Sequence, residues 1–324
     1  MKRIAVFTSG GDAPGMNACI RAVVRAGIYH GLEVFGIYNG YNGMIEGDFI
    51  KMESHSVSNI IQRGGTILKT ARSEQFRNAD GMQKAKEQLN NKGIDAVVAI
   101  GGDGTFKGAD EFSRKFDIPF VGIPATIDND MYGTDYTIGY DTAVNTVMEA
   151  VDRIRDTADA HNRLFIVEVM GRDAGFIALR SGIASGSEAI LIPETETHID
   201  QLVKLLQQGW SRKKSSSIII VAEGDDAGGA FEVAGKVKEK FNEYDVRVSI
   251  LGHIQRGGSP TCMDRVLASM LGIAAVKALL EGKTNIMIGI VNKDQIIYTP
   301  FNKAVKHHKE INKNLLKMVE ILSI

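Results

Sequence analysis

Short apolar runs alternate with helix-patterned stretches along the whole chain. The apolar runs are rich in β-branched residues and are apolar on both faces, which is typical of strands in a parallel sheet that helices cover on each side. Nine such runs are predicted to be strands, namely "RIAVFT", "LEVFGIY", "IDAVVAI", "PFVGI", "LFIVEVM", "EAILIP", "SIIIVA", "RVSILGH" and "IMIGIV".

The stretches between these runs carry helical spacing and predict helices over about 15–30, 82–92, 106–116, 140–160, 174–185, 199–210, 230–242, 261–281 and 303–321. This β/α alternation predicts an α/β fold of two doubly wound, Rossmann-like domains, with mainly parallel sheets flanked by helices. A chain of 324 residues is also longer than a single core usually supports. We expect one domain over 1–139 plus 252–302 and the other over 140–251 plus 303–324, so that the chain crosses between them more than once.

Composition narrows the functional classes. The chain is 44% hydrophobic and 24% charged, with a formal net charge of -1, which argues against a broad nucleic-acid or membrane footprint. Cys19 and Cys262 are too few for a disulfide framework, so a reducing cytoplasm is expected. The start "MKRIAVFTSGGD" lacks the core and cleavage site of a signal peptide, and no apolar run is long enough to cross a bilayer.

Polar segments, three of them rich in glycine, follow four of the predicted strands. They are "TSGGDAPGMN" (8–17), "GGDGTFKG" (101–108), "PATIDND" (124–130) and "GHIQRGGSP" (252–260). In a doubly wound sheet, ligands bind where strands end and helices begin. We therefore expect the functional residues in these four segments.

"TSGGD" and "GGDGTFKG" have the composition of phosphate-binding turns. Glycine lets the backbone approach a ligand closely, and a helix N-terminus presents free N–H groups to an anion. Two such turns in one domain suit a polyphosphate, although each alone is compatible with a simple tight turn. Neither matches a Walker P-loop, and Gly102, Gly104 and Gly108 are spaced one residue too widely for the dinucleotide fingerprint.

Asp103 lies inside the second of these turns, where a carboxylate would repel phosphate. A divalent cation between the two removes the conflict, and Mg²⁺ is usually held by one or two carboxylates together with phosphate oxygens. The alternative is that Asp103 caps the N-terminus of a helix. We favour the magnesium role.

Seven short segments occur in one order: "TSGGDAPGMN", "RGGTIL…AR", "GGDGT", "TIDND", "EVMGR", "AEG" and "GHIQRGGSP". This set closely resembles the bacterial ATP-dependent 6-phosphofructokinases, from residue 3 to past residue 290. "GGDGT" alone is weak, whereas "TIDND" together with "MGR" and "GHIQRGGSP" is specific. The resemblance implies an allosterically regulated enzyme of glycolysis that transfers the γ-phosphoryl group of ATP to the 1-hydroxyl of fructose 6-phosphate, giving fructose 1,6-bisphosphate and ADP. The first predicted domain would bind ATP and the second fructose 6-phosphate.

The resemblance assigns catalytic roles around "TIDND". A sugar hydroxyl must lose a proton to attack, and by resemblance Asp128 is the general base that accepts it. Asp130 would support the magnesium side, on the same face as Asp128 if the segment is extended. Thr126 would donate a hydrogen bond to the transferring group, and Arg172 would stabilise its developing charge rather than form a surface salt bridge. Gly11 completes the implied catalytic set.

Two substrate-binding sets also follow from the resemblance. Arginine suits the sugar phosphate because its planar fork donates two parallel hydrogen bonds, and part of that site would come from a neighbouring subunit. The ATP side would be Gly11, Tyr41, Arg72, Ser73, Gly102, Asp103, Gly104 and Thr105, with Asp103 on Mg²⁺ and Tyr41 equally compatible with a packed aromatic. The sugar side would be Thr126, Ile127, Asp128, Arg163, Met170, Gly171, Arg172, Glu223, Arg247, His253, Ile254, Gln255 and Arg256, with Arg163 and Arg247 from the neighbour.

An effector site between the subunits of a homotetramer is implied as well, for ADP as activator or phosphoenolpyruvate as inhibitor. Arg21 and Arg25 lie four residues apart and therefore share a helix face. Asn59 stands where some family members carry an acid. Loss of that carboxylate removes a cation link to ADP and is expected to weaken ADP binding relative to phosphoenolpyruvate. The implied set is Arg21, Arg25, Asn59, Arg155, Gly186, Glu188, Arg212 and Lys214.

Ala125 departs from the usual "PGTIDND" of the family. Its methyl group would disfavour a backbone with positive φ and modestly affect nucleotide affinity. Members that use pyrophosphate tend to carry an acid at the position of Gly104 and a lysine just before "TIDND", so ATP is the favoured donor here. A pyrophosphate-dependent phosphofructokinase, a dinucleotide-dependent oxidoreductase and a non-catalytic sugar-phosphate sensor are the alternatives.

Overall fold

The structure, a computed structural model, describes residues 1–160, 163–212 and 216–322. Its strands are β1 (Arg3–Thr8), β2 (Glu33–Ile37), β3 (Phe49–Met52), β4 (Ala96–Gly101), β5 (Phe120–Pro124), β6 (Arg163–Val169), β7 (Ala189–Leu191), β8 (Ser217–Ala222), β9 (Asp245–Ile250), β10 (Ile286–Val291) and β11 (Gln295–Pro300). Its helices are α1 (Met16–Tyr29), α2 (Tyr41–Glu46), α3 (Ala79–Lys92), α4 (Asp103–Phe116), α5 (Tyr140–Asp159), α6 (Phe176–Ser185), α7 (Ile199–Ser211), α8 (Ala230–Lys240), α9 (Cys262–Leu280), α10 (Phe301–Ala304) and α11 (Lys313–Leu322). Three short 3₁₀ turns cover Ser54–Val57, Gln75–Arg77 and Gly252–Arg256.

The chain divides into two compact units, and it passes between them several times. The first unit comprises Met1–Ile127, Met131–Thr142 and Arg256–Lys309, and the second comprises Asp128–Asp130, Ala143–Gln255 and Glu310–Ile324. The main crossings thus follow residues 142, 255 and 309. The sequence pattern predicts them after residues 139, 251 and 302.

A seven-stranded sheet forms the centre of the first unit, in the order β11-β10-β5-β4-β1-β2-β3. Its five inner strands are parallel, and β3 and β11 are antiparallel at the two edges. Successive side chains of a strand face opposite sides of the sheet. On β1, Ile4 lies against Gly27 of α1, whereas Phe7 belongs to the core cluster that contains Phe106 of α4. Helices therefore cover both faces, as predicted for a doubly wound sheet.

The second unit is built on a four-stranded parallel sheet in the order β7-β8-β6-β9. Its core cluster joins Ile166 of β6 and Ile219 of β8 to Leu206 of α7 and Val233 of α8. The β6–β9 register sets Arg163 beside Asp245 and Phe165 beside Arg247. The sheet therefore brings Arg163, Asp245 and Arg247 to adjoining positions.

Some elements differ from the sequence prediction. The pattern does not predict α2 or the edge strands β3 and β11, whose residues are partly exposed and mix polar with apolar side chains. The single helix predicted over 303–321 is wrong, since the chain forms α10 and α11 with residues 305–312 between them. In that interval His308 pairs with Met131 in an antiparallel bridge, and the chain crosses to the second unit after Lys309, so the backbone cannot stay helical.

Cys19 and Cys262 are both free thiols, the first buried and the second exposed. Among the described residues, no helix combines the length and the apolar composition that crossing a bilayer requires.

Candidate active site

The turn "GGDGT" joins the end of β4 to the start of α4. Helix α4 begins at Asp103 itself, with Gly102 before it in an extended conformation, so Asp103 is not the N-cap of the helix. The Asp103 carboxylate accepts a hydrogen bond of 3.2 Å from Lys107 Nζ and keeps 42% of its side chain exposed. Thr105 turns inward and donates to the Ser9 carbonyl at 3.2 Å. The first turn of α4 thus presents its N–H groups and one accessible carboxylate.

The loop that carries Arg72 is fastened to the first glycine turn. Asn17 is 1% exposed, and its amide donates to the carbonyls of Arg63 and Gly64 at 3.1 and 3.0 Å and accepts from Ile67 N at 2.7 Å. Thr70 Oγ1 donates to the Gly10 carbonyl at 2.8 Å. Sequence reasoning missed Asn17, although a polar residue within "TSGGDAPGMN" is the signal that could have found it.

Arg72 is exposed at the end of this loop. Ser73 follows it and accepts a hydrogen bond from Phe76 N at 3.2 Å, which begins the 3₁₀ turn Gln75–Arg77. The hydroxyl of Ser73 thereby has a structural partner in addition to its predicted nucleotide contact.

Tyr41 is a core aromatic. It is 4% exposed and stacks on Phe76 with ring centroids 3.9 Å apart, with Phe7 at 4.8 Å on another side. Its hydroxyl donates to the Thr105 carbonyl at 2.6 Å, and burial raises its pKa above the ordinary range. The structure thus favours the interpretation of Tyr41 as a packed aromatic over a contact with adenine. The hydrogen bond from its hydroxyl to Thr105 supports the "GGDGT" turn from the side of the core.

Gly11 and Arg256 lie in direct contact. A Cβ atom on Gly11 would meet Arg256 Nη1 at 2.5 Å, and Arg256 Nη1 donates to the Asp12 carbonyl at 3.2 Å. The resemblance assigns Gly11 to ATP and Arg256 to the sugar phosphate. The structure brings these two residues together in the first unit.

The segment "PATIDND" begins at Pro124, the last residue of β5. Ala125 N donates to the Gly101 carbonyl at 3.0 Å, and Ala125 pairs in parallel with Ile138. Ala125 is 1% exposed and is not among the residues with positive φ. The backbone here is strand-like, so no conflict arises between the Ala125 methyl group and a positive φ, and the modest effect on nucleotide affinity stays a prediction.

Thr126 is next to the "GGDGT" turn. A Cβ atom on Gly102 would lie 3.8 Å from Thr126 Cβ, an ordinary van der Waals distance. The carbonyl of Thr126 accepts a hydrogen bond of 2.6 Å from Thr137 Oγ1. Ile127, the following residue, is fully buried.

The backbone bends at the two acids. Asn129 between them has a φ of 55°, which lies in the left-handed region, so the segment is not extended. The extended geometry on which the predicted shared face of Asp128 and Asp130 depended is therefore not present. Asp128 is 7% exposed, whereas Asp130 is half-buried.

In the second unit, Glu223 at the end of β8 holds the turn that carries Arg172. Its carboxylate accepts hydrogen bonds from Gly171 N at 3.3 Å and Arg172 N at 2.7 Å. Arg172 has a φ of 59°, an unfavourable conformation for a side chain with a Cβ, and it is exposed. Gly224 is required beside it, since a Cβ there would meet the Arg172 carbonyl oxygen at 2.1 Å.

Arg163 and Arg247 converge on one carboxylate oxygen. Asp245 Oδ2 accepts from Arg163 Nε at 3.2 Å and from Arg247 Nε and Nη2 at 3.1 and 2.8 Å. These hydrogen bonds, chiefly that from Arg247, lower the pKa of Asp245. Sequence reasoning missed Asp245, although the two arginines it joins were both predicted.

The remaining sugar-side residues differ in exposure. His253 is exposed and Ile254 is 57% exposed, whereas Gln255 is fully buried. Gln255 accepts from Met170 N at 3.2 Å and donates to the Gly252 carbonyl at 3.0 Å. Its side chain thus joins two predicted substrate segments.

The predicted effector residues fall in both units. In the first unit, Arg21 has a pKa lowered by partial burial and by the neighbouring charge of Arg25, and Asn59 is exposed with a φ of 56°. In the second unit, Arg155 donates to the Ser185 carbonyl, next to the predicted residue Gly186.

The other predicted effector residues lie in the second unit as far as they are described. The carboxylate of Glu188 accepts from Ile218 N, and Arg212 is the exposed C-cap residue of α7. Lys214 lies outside the described residues.

The surroundings of Asp103 suit a magnesium ion that substrate phosphate helps to bind. Among the described residues, no group of three or more histidine, cysteine, aspartate or glutamate side chains is placed to enclose a metal. Mg²⁺ commonly takes one or two protein carboxylates and completes its shell with water and substrate phosphate. The accessible carboxylate of Asp103, at the start of α4, suits an ion that arrives with a phosphate group.

Glycine-rich turns at the carboxyl ends of the strands are the arrangement that α/β proteins use to bind phosphorylated small molecules. The sequence profile described as "Phosphofructokinase" matches residues 3–279. The chain belongs to the phosphofructokinase family.

Curated relatives align over the full chain. It is 56% identical to "ATP-dependent 6-phosphofructokinase 2" of Bacteroides thetaiotaomicron, over 100% of this chain and 99% of the relative. It is 53% identical to "ATP-dependent 6-phosphofructokinase 1" of Thermus thermophilus, over 100% of both.

Solved structures share the fold. Phosphofructokinase from Saccharomyces cerevisiae superposes with a TM-score of 0.90 at 40% identity, covering 100% of this chain and 47% of the yeast chain, so this chain spans about half of that protein. A pyrophosphate-dependent phosphofructokinase from Marinobacter aquaeolei superposes with a TM-score of 0.85 at 22% identity, covering 99% of this chain and 91% of the other, and shows the fold alone.

Proposed function

We propose that this protein is an ATP-dependent 6-phosphofructokinase, which transfers the γ-phosphoryl group of ATP to the 1-hydroxyl of fructose 6-phosphate. The observation that carries the proposal is the proximity of Gly102 to Thr126, two residues before Asp128, since a Cβ atom built on Gly102 would lie 3.8 Å from Thr126 Cβ. Relatives that align over the full chain bear the name ATP-dependent 6-phosphofructokinase. A dinucleotide-dependent oxidoreductase or a sugar-phosphate sensor lacks any comparable support.

Asp128 is the proposed general base. A carboxylate within hydrogen-bond reach of a sugar hydroxyl can accept its proton as the oxygen attacks phosphorus. Thr126 and the N–H groups at the start of α4 orient the transferring group, and Arg172 neutralises charge that develops on it. Glu223 supports Arg172 by holding its backbone. Mg²⁺ would be held by Asp103 and would neutralise the phosphate charge when bound.

ATP is the proposed donor rather than pyrophosphate. Gly104 is exposed, and a Cβ atom built on it meets no other atom within 4 Å. The space beside the phosphate turn is thus open, which suits a nucleotide. Ala125 adds a buried methyl group without backbone strain, so it is compatible with the same donor.

A homotetramer with shared sites and an effector site for ADP or phosphoenolpyruvate are part of the proposal, as is a cytoplasmic location. Helix α9 supports assembly, since Met263, Val266, Ile273 and Leu280 form a stripe of exposed apolar side chains on it. Exposed apolar surface of this kind marks protein interfaces. The electrostatic repulsion between Arg21 and Arg25 is what an anionic effector would relieve.

A coupled assay with fructose 6-phosphate tests the proposal, with ATP or pyrophosphate as donor, on the wild type and Asp128→Ser. We expect turnover with ATP and a loss of about 10²- to 10⁴-fold in kcat in the variant. Turnover with pyrophosphate alone would overturn the donor, equal rates in the two proteins would overturn the base, and turnover of tagatose 6-phosphate but not fructose 6-phosphate would overturn the substrate. Size-exclusion chromatography tests assembly, because a fully active monomer would contradict shared sites.

A further inference from the structure

Asp264 in helix α9 is a buried carboxylate that no predicted site includes. It is 1% exposed. Its Oδ1 accepts from Gly139 N at 2.8 Å, and its Oδ2 accepts from Thr142 N at 2.8 Å and from the Thr142 hydroxyl. Three donors from another segment of the chain thus converge on one side chain.

The Asp264 carboxylate does not make the capping hydrogen bond that is usual for an acid at this position of a helix. Asp264 is the third residue of α9 after the N-cap, Thr261, whose hydroxyl accepts from Asp264 N at 3.2 Å. In a capping box, the acid at this position would accept the N-cap N–H in return. Here Thr261 N donates instead to Thr142 Oγ1 at 3.0 Å, which releases the Asp264 carboxylate for the other segment.

The segment held by Asp264 is the start of helix α5. Gly139 and Thr142 supply two of the backbone N–H groups that an α-helix leaves without partners at its N-terminus. Thr261 Oγ1 also donates to Asp141 Oδ2 at 2.7 Å. The N-termini of α5 and α9 are therefore joined by a network that includes side chains from both.

The same segment continues directly into the support of "PATIDND". Ile138 N donates to the Pro124 carbonyl at 3.0 Å, and Ile138 pairs with Ala125. Thr137 Oγ1 donates to the Thr126 carbonyl at 2.6 Å. Thr137 and Ile138 thereby hold the backbone up to Thr126, which precedes Asp128 by two residues.

Packing leaves this segment little freedom. Gly139 has a φ of 101°, and a Cβ atom there would meet Ala13 Cβ at 2.7 Å. A Cβ on Gly15 would meet Ile138 Cγ2 at 2.6 Å and Asp264 Cβ at 3.6 Å. The "TSGGDAPGMN" turn, residues 137–142 and Asp264 thus form one packed group.

We propose that Asp264 is a positioning residue for phosphoryl transfer, which acts through residues 137–142 to hold Ala125 and Thr126, and with them Asp128, in place. This inference rests on the proposed function. Displacement of a reacting group by about 1 Å can cost about 10²-fold in rate. The role therefore predicts a defect in kcat rather than in substrate binding.

Asp264→Asn tests the role with little change of volume. The asparagine amide keeps one acceptor oxygen but replaces the other with an NH₂ group. That NH₂ group faces a backbone N–H donor, Gly139 N or Thr142 N, and one hydrogen bond of the network is lost. We expect kcat per folded subunit to fall about 10- to 100-fold, with the KM values for ATP and fructose 6-phosphate within about twofold of wild type. Thr142→Val should lower kcat in the same direction, and Thr142→Ser, which keeps the hydroxyl, should restore it.

Asp95→Asn is the matched control. The Asp95 carboxylate accepts the backbone N–H groups of Lys2 and Arg3 at the amino end of β1, away from the predicted site at the carboxyl end. Its loss should lower Tm without lowering kcat per folded subunit. Equal kcat losses in Asp264→Asn and Asp95→Asn, or a rise in KM with unchanged kcat in Asp264→Asn, would overturn the inference.

Two further comparisons separate an effect on folding from an effect on catalysis. If Asp264→Asn does not fold, the comparison of Thr142→Val with Thr142→Ser decides, and equal kcat values in those two would count against the role. Failure of the wild type to phosphorylate fructose 6-phosphate with ATP would refute the proposed function itself, whereas an active wild type with an unaffected Asp264→Asn would refute the positioning role alone.

Discussion

Arg256 occupies the space that a side chain at Gly11 would need, with Nη1 placed 2.5 Å from the position of a Cβ atom on that glycine. The guanidinium also donates to the Asp12 carbonyl. A residue implied for the sugar phosphate therefore depends on the absence of a side chain in the turn implied for ATP. The contact gives the glycine a role beyond backbone flexibility.

Gly11→Ala should displace the Arg256 guanidinium. Because the obstructing atom is the end of a flexible side chain, we expect little change in Tm. Loss of a charged hydrogen bond to phosphate should raise the KM for fructose 6-phosphate about tenfold or more. Steady-state kinetics check this, with Gly235→Ala in α8 as the control, since a Cβ atom there meets open space. An unchanged KM would contradict the dependence of Arg256 on Gly11.

Asp245→Asn should release Arg163 and Arg247 from their shared carboxylate. If both arginines bind the sugar phosphate, removal of the negative charge should lower the KM for fructose 6-phosphate about two- to fivefold at low salt. The difference should shrink as salt is raised, because Asp245 and Arg247 are exposed and Arg163 is partly exposed.

Asp200→Asn provides the same charge change for comparison, since Asp200 is an exposed carboxylate of the second unit that pairs with Lys240. A similar KM change in both variants would indicate a general charge effect rather than a local one.

Glu223→Ala and Glu223→Gln should separate support of the Arg172 turn from direct sugar binding. Alanine removes the acceptor for Gly171 N and Arg172 N, so Arg172 is expected to leave its left-handed conformation and kcat should fall about tenfold or more. Glutamine keeps one acceptor oxygen and should stay within a few-fold of the wild-type kcat. Kinetics on both variants check this, and equal kcat values would show that the hydrogen bonds do not support catalysis.

The stability of the protein should carry a pH dependence from Asp264. Burial raises the pKa of this carboxyl to about 6 from its ordinary 3.8, the nearby Asp141 charge adds to the rise, and hydrogen bonds from Thr142 and Gly139 oppose it. Between these two values the folded state keeps a proton that the unfolded state has released. The contribution is therefore fully present below pH 3.8 and is lost as pH rises through 6.

This loss of stability amounts to about 3 kcal/mol in total. Asp264→Asn removes the titrating carboxyl group and with it this pH dependence. The unfolding free energy of the wild type minus that of the variant should consequently fall as pH rises from 5 to 7.5, by about half of that total. Urea unfolding of both proteins at several pH values checks the sign. A difference that is flat or rising with pH would contradict the raised pKa.

Much of the fold follows from local pattern. The inner strands β1, β4, β8 and β10 are apolar on both faces, and such strands are stable only beneath helices, so the α/β class and the parallel centre are confirmed. The edges were less accessible to prediction. A strand such as β11 is stabilised by one neighbour and faces solvent, so its sequence need not carry a clear period.

The motifs placed the candidate site at strand ends, but they did not describe its internal support. Glu223, Arg172 and Asp128 could be named from the segments that contain them. Their geometry could not, since Asn129 and Arg172 adopt left-handed conformations that local propensity disfavours and tertiary contacts enforce. Tyr41 is the converse case, because its neighbours along the chain do not reveal that Phe76 covers its ring.

Membership in the phosphofructokinase family and the α/β class were accessible from residue order, because short motifs and hydrophobic periodicity are properties of neighbouring residues, and the same motifs predict the reacting groups. The support of those groups was accessible only in three dimensions. Asp264 binds Thr142, which lies 122 residues away along the chain, and an ordinary helix-capping pattern conceals that contact. A sequence lists the donors and acceptors, whereas folding decides which distant pairs meet.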